Sequence, residues 1–254
     1  MDTTKAITHL GLCAGYGGIE LGLKRVLPTL RTVALCEIEA FACANLVAKM
    51  ETGLMDAAPI WTDLKTFPWA EFRDRVDILT GGYPCQPFSS AGKRLGGEDP
   101  RHLWPYISNG IRLLQPSVCF FENVEGHISL GLREVIGDLE SLGYRATFGI
   151  FSASECGAPH QRKRVFILAT NSDSNGMEGH WRSRFALSNR QGGQSCQAVS
   201  DSEFAAIDWQ SESASALIGA NDGGVDWMDR VRLLGNGVVP ATAELAFRTL
   251  IQQL

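Results

Sequence analysis

Among the 254 residues no two cysteines form a C-x-x-C pair; the seven, at 13, 36, 43, 85, 119, 156 and 196, are an odd, scattered set. That pattern excludes a disulfide framework and a zinc site built on paired cysteines, and it implies reduced thiols. Five of them sit in apolar surroundings and read as small core residues, while Cys85 has a different context. No apolar run approaches the roughly 20 residues that a membrane helix needs. The opening MDTTKAITHLGL lacks the basic-then-apolar layout of a secretory signal. The expectation is a cytoplasmic chain with no membrane partner. A basic excess is missing too, since 23 Lys and Arg face 28 Asp and Glu for a net charge of −5. An average of that kind weighs only mildly against a nucleic-acid partner, because a local patch can supply the contacts. Such a patch exists: from His160 to Gln194 stand Arg162, Lys163, Arg164, Arg182, Arg184 and Arg190 against Asp173 and Glu178. From Ser195 to Asp229 there are seven acids and no Lys or Arg.

What is present is an ordinary globular composition, 44% hydrophobic and 20% charged, in a chain long enough for one domain with a small appendage. Short β-rich apolar runs alternate with helical spacing over residues 1–170. THLGLCAG, TVALCEIE, VDILTGG, VCFFENV, ATFGIFSA and RVFILAT read as strands. GIELGLKRVL, with Ile19, Leu23 and Val26 on one face, Ala40–Met50 and EVIGDLESLGY read as helices, the last closed by Gly143. The alternation predicts an α/β fold with a doubly wound, mostly parallel sheet. Residues 171–229 are crowded with Ser, Asn, Asp and Gly and read as a loop-rich insertion. Residues 230–254 return to order, with a glycine turn and a C-terminal helix carrying Val239, Ala243, Ala246 and Leu250 on one face.

The turn Leu12-Cys13-Ala14-Gly15-Tyr16-Gly17-Gly18 joins the first strand to the first helix. It is either a plain tight turn or a place where backbone approaches a ligand. Glu37, at the end of the second strand about 20 residues on, suits a ribose hydroxyl, or is a solvated acid at a helix N-terminus. Asp63 could accept from an adenine amino group. Together their order and spacing favour a nucleoside cofactor. Cys85 lies between two prolines after a strand, where open α/β sheets place reactive groups; it is a nucleophile or a structural cysteine. Glu122 follows the apolar run VCFF, so its pKa should be raised, which suits proton donation. Arg162 and Arg164 are two apart, so on one strand they would share a face and could clamp a phosphate or base.

A-G-Y-G-G, P-C-Q-P-F-S, E-N-V, Q-R-K-R and G-N-G-V-V-P, in that order from residue 12 to 240, resemble the cytosine-C5 DNA methyltransferase family. The resemblance implies a Rossmann-like, class I S-adenosylmethionine-dependent methyltransferase acting on cytosine flipped out of duplex DNA. It implies Cys85 as nucleophile on C6 and Glu122 as the group holding or protonating N3, with Asn123, Arg162 and Arg164 ordering the site. The cofactor would be held by Ala14, Gly15, Tyr16, Gly17, Gly18, Glu37, Ile38, Asp63, Leu64, Pro84, Leu103, Asn236 and Val238. DNA would meet Gln86, Ser89, Ser90, Lys93 and Arg94 in the loop after Cys85, and Arg182, Arg184 and Arg190 in a reduced target-recognition region, 171–229. The last helix would pack beside the first strand. A monomer and an accompanying restriction endonuclease are further expectations. Position 11 is Gly and position 13 Cys, where the family usually has an acidic or polar residue and Phe; position 38 is Ile, where a bulky aromatic is frequent. An RNA cytosine methyltransferase with this fold, a catalytically retired DNA-binding relative and a small-molecule methyltransferase are the competing readings. The third has no use for PCQPFS together with ENV.

Overall fold

The computed structural model of the chain describes residues 6–84, 103–158, 160–171 and 236–254. Seven strands form one sheet: β1 (Ile7–Leu12), β2 (Leu30–Cys36), β3 (Ile60–Trp61), β4 (Ile78–Gly81), β5 (Val118–Val124), β6 (Tyr144–Ser152) and β7 (Lys163–Asn171). Their spatial order is β3-β2-β1-β4-β5-β7-β6. The first five strands pair in parallel, whereas β7 runs antiparallel to both β5 and β6. The helices are α1 (Gly18–Val26), α2 (Ala40–Glu51), α3 (Trp104–Leu114), α4 (His127–Leu130), α5 (Leu132–Ser141) and α6 (Pro240–Leu250). The doubly wound, mostly parallel sheet expected from the sequence is the observed fold.

The two sheet faces bury separate apolar sets, as strand alternation requires. Along β5, Cys119 and Phe121 join Trp104, Ile107 and Leu139 of α3 and α5. Val118 and Phe120 join Leu23 of α1 and Ala243 and Phe247 of α6 on the other face. Central strands buried on both faces read as continuous apolar runs, which is why VCFF was legible as a strand.

Two expectations need correction. The last helix packs chiefly along α1 and over β6 and β7, not beside β1 as its main neighbour. Its start nests against the backbone of α1 because Gly18 and Gly22, one helical turn apart, leave room there. A Cβ on Gly22 would stand 2.9 Å from the Ala243 Cβ. Val239 precedes that helix as its N-cap. Arg162 is not on the same strand as Arg164: β7 begins at Lys163, and Arg162 has φ 36°, in the left-handed region. That turn breaks the strand alternation, so spacing alone did not fix where Arg162 points.

Candidate active site

A cleft of about 750 Å³ opens at the C-terminal ends of β1, β2, β4 and β5, within the roughly 300–1,000 Å³ of small-molecule sites. Chain order reverses between β1 and β4, and crevices of open α/β sheets form at such switch points. Because β7 is antiparallel to β5, its beginning meets the end of β5 at the same edge. Val124 pairs with Arg164 and Glu122 with Phe166, so Glu122 and Arg164 are diagonal neighbours on one face.

One end of the cleft is built by β1 and β2. Gly15, Glu37, Ile38, Asp63, Leu64, Pro84, Leu103 and Asn236 all line it. The Glu37 carboxylate is buried and accepts from the Gly15 N–H at 2.7 Å and the Glu39 N–H at 2.9 Å. These two bonds set the turn and leave further lone pairs for a ligand hydroxyl. Asp63 spends Oδ1 on the Lys65 N–H at 2.9 Å, capping a short 3-10 turn. Ile38 is 73% exposed, an apolar plate on the cleft wall. Such a mixture of apolar surface and a few acceptors suits a nucleoside.

Ala14, Tyr16, Gly17, Gly18 and Val238 do not line the cleft. They pack behind it. Gly17 has φ 88°, and a Cβ there would meet Met55 Sδ at 2.7 Å. A Cβ on Gly18 would stand 2.8 Å from the Val238 carbonyl carbon and closer still to its oxygen. Gly18→Ala gains about 1 kcal/mol of helix propensity but forces main chain against main chain, at about 3 kcal/mol. A melting temperature lower by roughly 4–8 °C is the expected outcome in a thermal scan. Gly137→Ala in α5, where a Cβ meets nothing within 4 Å, is the control expected not to lose stability.

The other end holds the acid. Glu122 is 5% exposed and its Oε1 lies 2.8 Å from Arg164 Nε. Burial pushes its pKa up to about 7, against the pull of Arg164 and Arg162. It therefore carries a proton in part at neutral pH, as the sequence predicts for an acid after an apolar run. Asn123 is buried, donates from Nδ2 to the Tyr83 carbonyl at 3.0 Å and accepts at Oδ1 from the Val124 N–H. Its amide thus fixes the chain just past β4, at Tyr83, two residues before Cys85. Arg162 donates from Nη2 to the Gly237 carbonyl. Cys85, Gln86, Ser89, Ser90, Lys93, Arg94, Arg182, Arg184 and Arg190 lie outside the described residues. All five described cysteines, Cys13, Cys36, Cys43, Cys119 and Cys156, have thiol pKa values raised by burial, so none is poised as a thiolate.

Sequence reasoning missed several residues here. Phe41, Thr62 and Lys65 also line the cleft, and no motif marks them. Tyr83 and His127 form a buried pair, hydroxyl to Nε2 at 3.0 Å, beneath the strand end. Gly11, where the family usually has a polar or acidic residue, is also resolved. The space beside it is filled by the carboxylate of Glu20, arriving from α1.

A family model described as C-5 cytosine-specific DNA methylase matches residues 7–209. The Type II methyltransferase M.PspPI of Psychrobacter sp. (strain TA137) is 32% identical over 183 residues, 68% of this chain and 42% of that protein. The Type II methyltransferase M.NgoMIV of Neisseria gonorrhoeae is 34% identical over 170 residues, 65% of this chain and 52% of that protein. The chain thus spans about half the length of these curated relatives. A crystal structure of a Spodoptera frugiperda DNMT2 mutant shares the fold, with a TM-score of 0.55 at 24% identity over 66% of this chain and 51% of that one. With the family model covering most of its length, the chain belongs to the C-5 cytosine-specific DNA methylase family.

Proposed function

We propose that the protein transfers a methyl group from S-adenosylmethionine to C5 of a cytosine flipped out of duplex DNA. The observation that carries this reading is Glu122, a buried acid paired with Arg164 that shares one cleft with the glycine turn, Glu37 and Pro84. The nucleoside end fits the cofactor. Ile38 offers an apolar plate, Asp63 the carboxylate oxygen that Lys65 does not use and Glu37 further lone pairs. When bound, S-adenosylmethionine supplies an electrophilic methyl group.

The chain's own residues would do the rest. Cytosine C5 is a poor nucleophile until a thiolate adds to C6, and Cys85 is the residue that follows Pro84 at the cleft. As the S–C6 bond forms, Glu122 delivers its proton to N3, so the ring gains no net negative charge and electron density moves to C5. Arg164 then faces the new carboxylate and stabilises it. After methylation a water molecule takes the C5 proton, the S–C6 bond breaks to restore the thiolate, and the N3 proton returns to the Glu122 carboxylate. Arg162 acts through its bond to Gly237, holding the C-terminal segment against the site. Asn123 holds the chain just past β4 that leads to Cys85.

Transfer of a labelled methyl group to duplex DNA and to tRNA, measured in parallel, tests the substrate. Labelling of duplex DNA, at cytosines then located by bisulfite sequencing, is the expected result; labelling of tRNA alone would overturn the DNA reading. No helix among the described residues is long and apolar enough to cross a membrane.

A further inference from the structure

Gly237 and Val238 present consecutive carbonyls, and side chains from two segments far apart in the chain hold them. Arg162 donates to the Gly237 carbonyl and the Tyr16 hydroxyl donates to the Val238 carbonyl. Arg162 stands just before β7, where its charge acts on Glu122. Tyr16 belongs to the glycine turn, yet it does not line the cleft. It is buried; its ring packs against Ala42 and Phe41, with Lys49 Nζ 5.2 Å above it. The hydroxyl is therefore spent on the C-terminal segment. Gly18, next but one in the chain, lets that segment sit directly on the helix start.

We infer that Tyr16 is a positioning residue that ties the cofactor turn, through the Gly237–Val238 segment, to Arg162 and so to the acid Glu122. The inference rests on the function proposed above and adds a residue to it. A tie of this kind is reciprocal: ordering the turn orders Arg162, and slack in the turn frees it. Glu122 is faced by Arg164 from β7, by Arg162 from the turn before it and by Tyr16 from the glycine turn. Both arginines favour its ionised form. If Arg162 draws away, Glu122 keeps its proton to higher pH.

Tyr16→Phe removes the hydroxyl and keeps the ring packing. Two readouts are expected to move together. The dissociation constant for S-adenosylmethionine, measured by calorimetry on the protein alone, should rise about five-fold, the worth of one hydrogen bond. The basic limb of the pH–rate profile for duplex DNA methylation should shift to higher pH, which a loss of stability alone would not cause. A change in one readout without the other, or in neither, overturns the tie. Should the variant not fold, hydrogen–deuterium exchange on the wild-type chain decides. S-adenosylmethionine alone should slow exchange around Arg162 as well as at the glycine turn, and protection confined to the turn overturns the inference. A wild-type chain that binds S-adenosylmethionine but methylates no nucleic acid defeats the proposed function and leaves the exchange test of the tie standing. A chain that binds none defeats both.

Discussion

A duplex oligonucleotide carrying 5-fluorocytosine at the target position, with S-adenosylmethionine present, is expected to trap the wild-type protein covalently and to leave Cys85→Ser uncaptured. The reaction ends by loss of the C5 proton; fluorine in its place cannot leave as a cation, so the S–C6 bond persists. A serine hydroxyl is far less ionised than a thiol at neutral pH and far less nucleophilic, so the variant should form no adduct on a denaturing gel. Glu122→Gln separates the acid from the nucleophile. Glutamine keeps the size and a hydrogen-bonding amide but has no proton to transfer, and its loss should cost about 10²–10⁴ in methyl-transfer rate. The pH dependence gives the sign. Glu122 acts as a donor, and burial pushes its pKa up to about 7, so that component of the rate should fall as pH rises through about 7. The same fall should be missing from Glu122→Gln. An adduct formed equally by Cys85→Ser would remove Cys85 from the chemistry, and a wild-type rate in Glu122→Gln would remove the acid.

The strands and helices of the sheet domain were legible because each carried its own local pattern. Central strands are apolar runs, helices repeat at 3.6 residues, and Gly143 with its φ of 87° closes a helix as only a glycine does cheaply. Residues read from their place after a strand were legible for the same reason: Glu37, Asp63 and Glu122 all face the cleft, while Pro84, also there, was implied only by the resemblance. What failed was anything set by contact between distant segments. Tyr16, Gly17 and Gly18 sit in a recognisable motif, but their partners are Met55 and Val238, 38 and more residues away. Arg162 turns on a left-handed residue that spacing does not reveal. The Tyr83–His127 pair joins positions 44 residues apart, and neither carries a signal of its own. The direction of β7 mattered most. Only its antiparallel pairing brings Arg164 to Glu122, and hydrophobic pattern says nothing about strand direction.

Glu20→Gln should gain about 3 kcal/mol of stability relative to the wild type between pH 4 and pH 8, as read from urea unfolding at both pH values. Glu20 is 4% exposed on α1, and its Oε2 has no hydrogen-bond partner among the described residues. Burial pushes its pKa up to about 7 from 4.5 in the unfolded chain, with Glu37 adding to the shift and Lys49 and Thr80 opposing it. A folded-state pKa above the unfolded value means that the folded protein binds the proton more tightly. The stabilisation is full below about pH 4.5 and is lost as pH rises through about 7. A shift of that size, at about 1.4 kcal/mol per unit, gives the magnitude. The comparison must be a difference between variant and wild type, because other buried groups titrate in the same range. His9, held between Thr32 and Thr80, has its pKa lowered by burial to about 3, and His127 to about 4. Both therefore lose stability as pH falls, opposite in sign to Glu20. Lys49 is lowered by burial to about 8 and held up by Glu20, so in the variant its own slope starts inside the top of the window and adds a little to the gain at pH 8. A variant-minus-wild-type difference that does not change with pH would mean that Glu20 titrates in the folded protein as it does in the unfolded chain, near 4.5. In that case the carboxylate beside Gly11 must be compensated by more than Lys49 and Thr80.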